Sequence, residues 1–462
     1  MARGAGRLTL QDGSRVGIIG GGPAGSLCAF FLLRFSRVQG IALECDIYEP
    51  RDFTAPGPRG CNMCGGIVSE LLVQSLAVDG ITLPPSVVQR GIDSYVLNTD
   101  EEAVTIATPM REKRIAAVHR GGGPRDLGVL RWGGLDGHLL SRAQELGTRL
   151  IPHRISDVSW DAGRPRVRFN GGAATYDLLV VATGVNMPEG RLYAQLGLPR
   201  RPARTTRAYI TELKLGYDAV TQRFGSAMHV FFLSIPRLEF AAIIPKGDFV
   251  TVCLLGRHVD QDLIRTFFES PAVRRCLPPP YLREGFCHCR PHINVREAVS
   301  PFADRVVLVG DAGVTRLYKD GIGAAYRTAK AAAATAVFHG VSATDFRRHY
   351  WPVYRAIARD NWFGRMIFAG AGPIRGSRLL RAAVARTVIR EQESPTGRPR
   401  RLSVALWDMF TGSAPYRGIF YRLIDPRLLA RLVWEGARTS SSWLLATPVR
   451  NGPPSPPSAP GV

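Results

Sequence analysis

Near the start of the chain, the run RVGIIGGGPAGSLCAFFLLRF sets Gly20, Gly22 and Gly25 between an apolar strand and an apolar helix. Val16–Ile19 reads as a buried strand, and the helix begins at about Pro23. Gly20 permits a tight turn, Gly22 lets the backbone approach a pyrophosphate, and Gly25 lets the helix pack closely on the strand. With Pro23 and Ala24 leading it, the helix N-terminus offers N–H groups and a partial positive charge to phosphate. A glycine turn holding no ligand is the plain alternative.

The next strand decides between them. CDIYEP ends in Glu49, at the distance where an acid meets ribose hydroxyls, with Arg51 just beyond. An acid there disfavours a 2′-phosphate, which leaves NAD or FAD. YDLLVVATG (176–184) is a buried strand running into a small-residue turn at Gly184. DRVVLVGDAGVTRLYKDGIGAAYRTAKAAAATAV (304–337) is a strand, then Gly310 and Asp311, a short loop, and an alanine-rich helix from about Gly321. Asp311 suits the hydroxyls of a ribityl chain. A helix N-terminus at Gly321, Ile322 and Gly323 suits the pyrimidine end of a flavin, where negative charge develops on reduction. NAD needs neither feature.

This set resembles the FAD-binding framework of glutathione-reductase-type flavoproteins, in the branch that includes p-hydroxybenzoate hydroxylase, flavin halogenases and geranylgeranyl reductases. The match is closest to the last. CGG (64–66) resembles that family's segment over the flavin, which implies that Gly65 and Gly66 let the backbone lie against the ring. VLRWGGLDGHLLSRAQELG (129–147) resembles its V-x-R…D-x-x-L element, which implies that Arg131 lies near the cofactor. The expected fold is α/β: a glutathione-reductase-type FAD-binding domain with an inserted antiparallel-sheet substrate domain and a helical C-terminal region. The cofactor domain is expected over 14–87, 119–199 and 296–344, and the substrate domain over 88–118 and 200–295. Helices then fill 345–447, and a Pro/Ser-rich tail, 448–462, is expected to be disordered.

Cys61-x-x-Cys64 runs directly into Gly65-Gly66. With Cys287 and Cys289 of CHC it has the makings of a four-ligand metal site, but a second C-x-x-C is lacking and no metal is expected. A loop is favoured over a redox helix, since Pro56, Pro58 and Gly60 precede the pair. Cys64 then sits at the active-site face, as a proton donor, a pocket wall or a small apolar filler. The role of Cys61 stays open.

RAYITELKL, AMHVFFLSI, EFAAIIP and DFVTVCLLG are short β-type runs, and DQDLIRTFFESPAVRRCL reads as helical. Geranylgeranyl reductases carry P-x-x-Y-x-W-x-F-P here. This chain has RLEFAAIIPKGD, with Phe240 for the Tyr and Ala242 and Ile244 for the Trp and Phe. Losing two rings opens on the order of 150 Å² of apolar wall each. In the GDA loop stand Arg316, Tyr318 and Lys319, either to bind a substrate phosphate or reduced-flavin charge, or to snorkel from a surface loop.

Composition adds a field. Of 462 residues, 60 are Lys or Arg and 38 Asp or Glu, a net charge of +22. That favours anionic partners, or else reflects a solvated arginine-rich surface. No nucleic-acid module accompanies the charge, so no nucleic acid is expected. Eight cysteines without a signal peptide point to a reducing compartment, hence a cytoplasmic protein. After residue 345, apolar and basic positions mix in amphipathic helices. These either pack on the two domains or lie peripherally on an anionic membrane. GAGPIRG (370–376) lacks a preceding strand and RGGGPRD (120–126) a following helix, so electrons are expected from a transient NAD(P)H or a reduced protein donor.

The expected function is an FAD-dependent oxidoreductase that saturates carbon–carbon double bonds in an apolar, isoprenoid or lipid-like substrate. A flavin monooxygenase or halogenase and an electron-transfer flavoprotein are the rivals, the G-W-x-W-x-I-P element of halogenases being absent.

Overall fold

The computed structural model describes residues 8–62, 64–109, 115–125, 133–185, 195–196, 198, 203–277, 287–394 and 399–445. Arg131 and the tail 448–462 lie outside them.

The strand Ser14–Ile19 and the helix Pro23–Gln39 flank the glycine turn where the sequence puts them. That strand lies inside a six-stranded sheet, ordered Phe302–Ala303, Val306–Leu308, Leu178–Val181, Ser14–Ile19, Leu43–Tyr48, Arg149–Ile151. Every pairing is parallel except the edge strand Phe302–Ala303 on Val306–Leu308. Such strands are apolar on both sides because both faces are covered. Val16, Ile18, Leu178 and Val180 pack under the helices Pro23–Gln39, Leu135–Gln144 and Gly321–Phe338. Ile19, Leu179, Val181 and Leu308 pack instead against Val158, Val167 and Tyr176 of a three-stranded antiparallel layer, Ile155–Asp161, Arg164–Phe169 and Gly172–Thr175. This layer escaped the sequence reading. Its middle strand, RPRVRF, sends arginines to water and commits Val167 and Pro165 inward, too short an alternation to stand out.

The second sheet has eight strands. Cys287–Cys289, Arg204–Lys214, Phe249–Gly256, Leu238–Lys246, Ala227–Phe231, Ser94–Asn98 and Ala103–Ala107 follow in order, and His292–Arg296 pairs with Arg204–Lys214. The segments on either side of the 119–199 stretch thus meet in one sheet, through parallel pairing of Ala227–Phe231 with Ser94–Asn98. One face packs on the helix Gln261–Glu269 through Leu263 and Phe267. The other receives the C-terminal helices: Trp407 stands edge-on to Tyr95 at 5.0 Å between ring centres. Those helices also reach the first sheet, where the Tyr350 hydroxyl donates to Leu308 O (2.5 Å) and that of Tyr354 to Ala298 O (2.7 Å). The helical region therefore ties the two sheets together. Among the described residues, no helix is long and apolar enough to cross a membrane.

Candidate active site

Three glycines in the first turn do three separate jobs. Gly20 has φ 104°, and a Cβ on it would lie 2.5 Å from Ala182 O. On Gly25 a Cβ would lie 1.8 Å from Gly20 O, so that glycine serves packing and not the ligand. Gly22 has an ordinary φ of −66°, and its Cβ would meet only Asn62 Nδ2 at 3.4 Å. Open space stands before it. The helix behind has no side-chain cap and no acid in its first turn, so its positive end is left for a ligand.

That space is a cleft of about 390 Å³, within the range of small-molecule sites. Gly20, Gly22, Pro23 and Ala24 line it, as do Glu49, Arg51, Gly184, Asp311, Gly321 and Ile322, with Cys64, Gly65 and Gly66 further along. Pieces of chain nearly three hundred residues apart therefore meet on one surface. Glu49 is buried, its Oε2 accepting from Gly21 N (2.9 Å) and its Oε1 from Arg51 N (3.0 Å). Two backbone donors fix the carboxylate and leave lone pairs for ribose hydroxyls.

A polar chain absent from the sequence-based set holds this end in shape. Arg51 Nη1 donates to Asn62 Oδ1 (2.9 Å), and Asn62 Nδ2 donates to Asp136 Oδ1 (3.0 Å). Asp136 also accepts from Gly121 N (2.6 Å) and, in a fork, from Arg120 Nε (2.7 Å) and Nη2 (2.8 Å). Burial alone would raise the Asp136 carboxyl, but Arg120 and these hydrogen bonds hold it below its ordinary value. The signal was present in part: Asp136 is the acid of the D-x-x-L element, and the arginine that pairs with it is Arg120. Asp136→Ala is expected to cost about 3–5 kcal/mol in a urea titration, since it strands a buried guanidinium. A loss under about 1 kcal/mol would mean the pair behaves as a surface one. Because the folded carboxyl is depressed, this stability is present above the ordinary value of 3.8 and fades as pH falls through the folded value.

At the far end, Gly66 has φ 69°, with Val118 O where its Cβ would stand, and its N–H donates to Cys64 Sγ at 3.4 Å. A Cβ on Gly65 would meet Cys253 Sγ at 3.2 Å and Ile244 Cδ1 at 3.3 Å. Ala208, Ile210, Leu255 and Ile293 of the second sheet supply an apolar wall. Cys64 lines the cleft, as does Arg120. All eight cysteines are free thiols, and among the described residues no group of three or more His, Cys, Asp or Glu is arranged to hold a metal.

The loop from Thr315 to Asp320 closes the site and departs from expectation at two places. Arg316, buried, spends its guanidinium on Gly412 O and Ala414 O and lies 4.2 Å from the Tyr416 ring centre. It clamps the C-terminal region while also lining the cleft. The helix end at Gly321–Phe338 is capped by Asp320, whose carboxylate accepts from Gly323 N (3.2 Å) and fills the place of a Gly323 Cβ. Gly323 is therefore a capping position, as Gly310 is a packing one, its Cβ falling 2.6 Å from Ala24 Cβ. Burial pushes the Asp311 carboxyl up, and that of Asp320 up to about 6. Tyr318 and Asp320 adopt φ of 62° and 55°, left-handed values that hold the loop under strain beside the cleft. Lys319 faces the cleft with Nζ 3.7 Å from the Phe240 ring centre, and burial pushes its ammonium down to about 8.

No protein-family model and no curated protein matches the chain. Solved structures do. A geranylgeranyl bacteriochlorophyll reductase-like protein from Thermoplasma acidophilum superposes with a TM-score of 0.62 at 15% identity, over 90% of this chain and 99% of that one. The p-nitrophenol 4-monooxygenase of Pseudomonas putida gives 0.56 at 13% identity, over 87% and 98%. A halogenase variant in complex with FAD gives 0.56 at 13%, over 95% and 93%. The chain thus has the fold of flavoprotein oxidoreductases.

Proposed function

We propose that the protein is an FAD-dependent oxidoreductase that saturates carbon–carbon double bonds of an apolar, isoprenoid or lipid-like substrate. One observation carries the reading: a single cleft runs from a bare helix end and the oriented carboxylate of Glu49 to an apolar wall beside Cys64 and Lys319. The residues present fit FAD along its length. The first helix and Gly22 would receive the pyrophosphate, Glu49 the ribose, Asp311 the ribityl hydroxyls, and the Gly65–Gly66 backbone the ring. Bound there, FAD supplies a hydride equivalent once reduced by NAD(P)H or a protein donor.

The chain's own part is to exclude water, orient the alkene and deliver a proton to the carbon that hydride does not reach. Ala208, Ile210, Leu255 and Ile293 hold the alkene by burial. Two groups are placed to protonate it: Lys319, whose ammonium burial pushes down to about 8, and Cys64, whose thiol lines the same cleft. Lys319 is the better acid, because a proton leaves an ammonium poised near neutrality easily. Superposition on a reductase-like protein supports the reading.

The test is purification followed by anaerobic turnover. A yellow protein with a flavin spectrum that adds two hydrogens per double bond to a polyprenyl lipid, read by mass spectrometry, is the expected result. A colourless protein that FAD cannot reconstitute would sink the cofactor assignment. A flavin-loaded protein that consumes oxygen and inserts it into product would sink the reductase chemistry alone.

A further inference from the structure

We infer that the helical C-terminal region docks on an anionic lipid surface through an arginine-flanked aromatic face. The inference does not depend on the cofactor or on the proposed reaction.

On the helix Trp351–Gly376, the residues Tyr354, Ile357, Asn361, Gly364 and Ile367 face inward. Arg355, Arg359, Trp362 and Met366 recur at helical spacing along the outer side, all exposed, with Trp362 at 52% and Met366 at 46%. The helix Tyr416–Leu423 lies alongside. Trp362 contacts Phe363 (ring centres 5.0 Å), and Phe363 contacts Tyr421 (6.0 Å), so exposed Trp362 and Tyr421 share one face. The helix Pro426–Leu445 repeats the device: Leu428, Leu432 and Glu435 turn in, while Arg427, Arg431, Trp434 and Arg438 recur at helical spacing on the exposed side beside Leu429 and Val433.

Three considerations favour a bilayer as the occupant. Tryptophan and tyrosine with arginines at their flanks match the boundary between acyl chains and headgroups, where the ring body is apolar and its edge wet. The acids nearby are engaged at helix starts: Asp360 accepts from Tyr416 N and Arg417 N, and Asp425 from Arg427 N and Leu428 N. Exposed arginines outnumber these acids on the outer helix sides, so the local charge is positive, as is the chain's net +22, and anionic headgroups complement it. Finally, the inner side of the same helix holds the loop that walls the cleft. Asn361 accepts from Leu317 N (2.9 Å) and donates to Thr315 O (2.8 Å), and Phe368 meets the Tyr318 ring at 4.9 Å. A lipid surface on this face would sit one helix away from the chamber.

Co-sedimentation of the full chain with vesicles tests the inference. Vesicles of phosphatidylcholine mixed with phosphatidylglycerol should take up the protein, and phosphatidylcholine alone should take up little. The double variant W362S/W434S should reduce uptake about tenfold at an unchanged melting temperature. Brominated lipids should quench wild-type tryptophan emission, an arm that needs no variant. Failure to bind the anionic vesicles, equal uptake by wild type and variant, or absence of quenching would overturn the proposal. So would a lipid-free dimer that W362S/W434S dissociates, which would make the face an interface between copies of this chain.

Discussion

Gly22→Val leaves the fold standing and empties the cleft. The substitution meets no strain, because Gly22 has an ordinary φ and its Cβ would meet only one side-chain nitrogen, at 3.4 Å. What the branched side chain occupies is the space before the helix end, where a pyrophosphate would lie. The variant should keep the melting temperature of cofactor-free wild type while its affinity for FAD falls by about a hundredfold or more, about 3 kcal/mol. The visible flavin band after gel filtration reads the outcome. A variant that stays yellow would place the cofactor elsewhere. Gly20→Val makes the contrasting control, since at φ 104° and 2.5 Å from Ala182 O it damages the turn itself.

Lys319→Met separates proton delivery from binding. General acids contribute about a hundredfold to ten-thousandfold, so kcat should fall by at least about a hundredfold with KM little changed. In the wild type, the rate should decline as pH rises through about 8, because the ammonium that donates is lost there; in the variant that limb should vanish. Lys319→Arg keeps a cation over Phe240 but gives up its proton far less readily, so it should remain slow. A fast arginine variant would show that charge, not proton transfer, matters at this position. Cys64→Ala should be the milder change, and a loss matching that of Lys319→Met would move the proton to the thiol. Stability gives an independent check. A lysine depressed below its ordinary value of 10.5 weakens the fold in full below about 8, and the penalty is relieved as pH climbs toward 10.5. The methionine variant should therefore melt higher than wild type at neutral pH.

Much of the cofactor half was legible because local pattern and tertiary role coincide there. The glycine turn, Glu49 and the strand ends at Gly184 and Asp311 are each readable from a few neighbouring residues, and the structure brings them to one cleft. What escaped depends on distant partners. Arg120 is unremarkable in sequence until Asp136 and Asn62 are seen beside it. Lys319 reads as a surface lysine until Phe240 is set beneath it. Arg316 reads either as an anion ligand or as a snorkelling surface side chain, because nothing local reveals the carbonyls of Gly412 and Ala414. Motif spacing also overstated two glycines: Gly310 and Gly323 serve Ala24 and Asp320, not an open surface. The amphipathic pattern after residue 345 packs on two sheets inward and presents tryptophan and arginine outward, and the pattern alone does not choose what meets that outer side.

The grip of Arg316 on Gly412 and Ala414, joined by the Tyr416 hydroxyl on Leu317 O, has a consequence for biogenesis. A ribosome makes the dinucleotide turn early and the residues that brace the opposite wall last. Until synthesis passes Tyr416, the strained loop at Tyr318–Asp320 has only the part of its brace that Asn361 and Phe368 supply, so this wall of the cleft is completed long after the glycine turn.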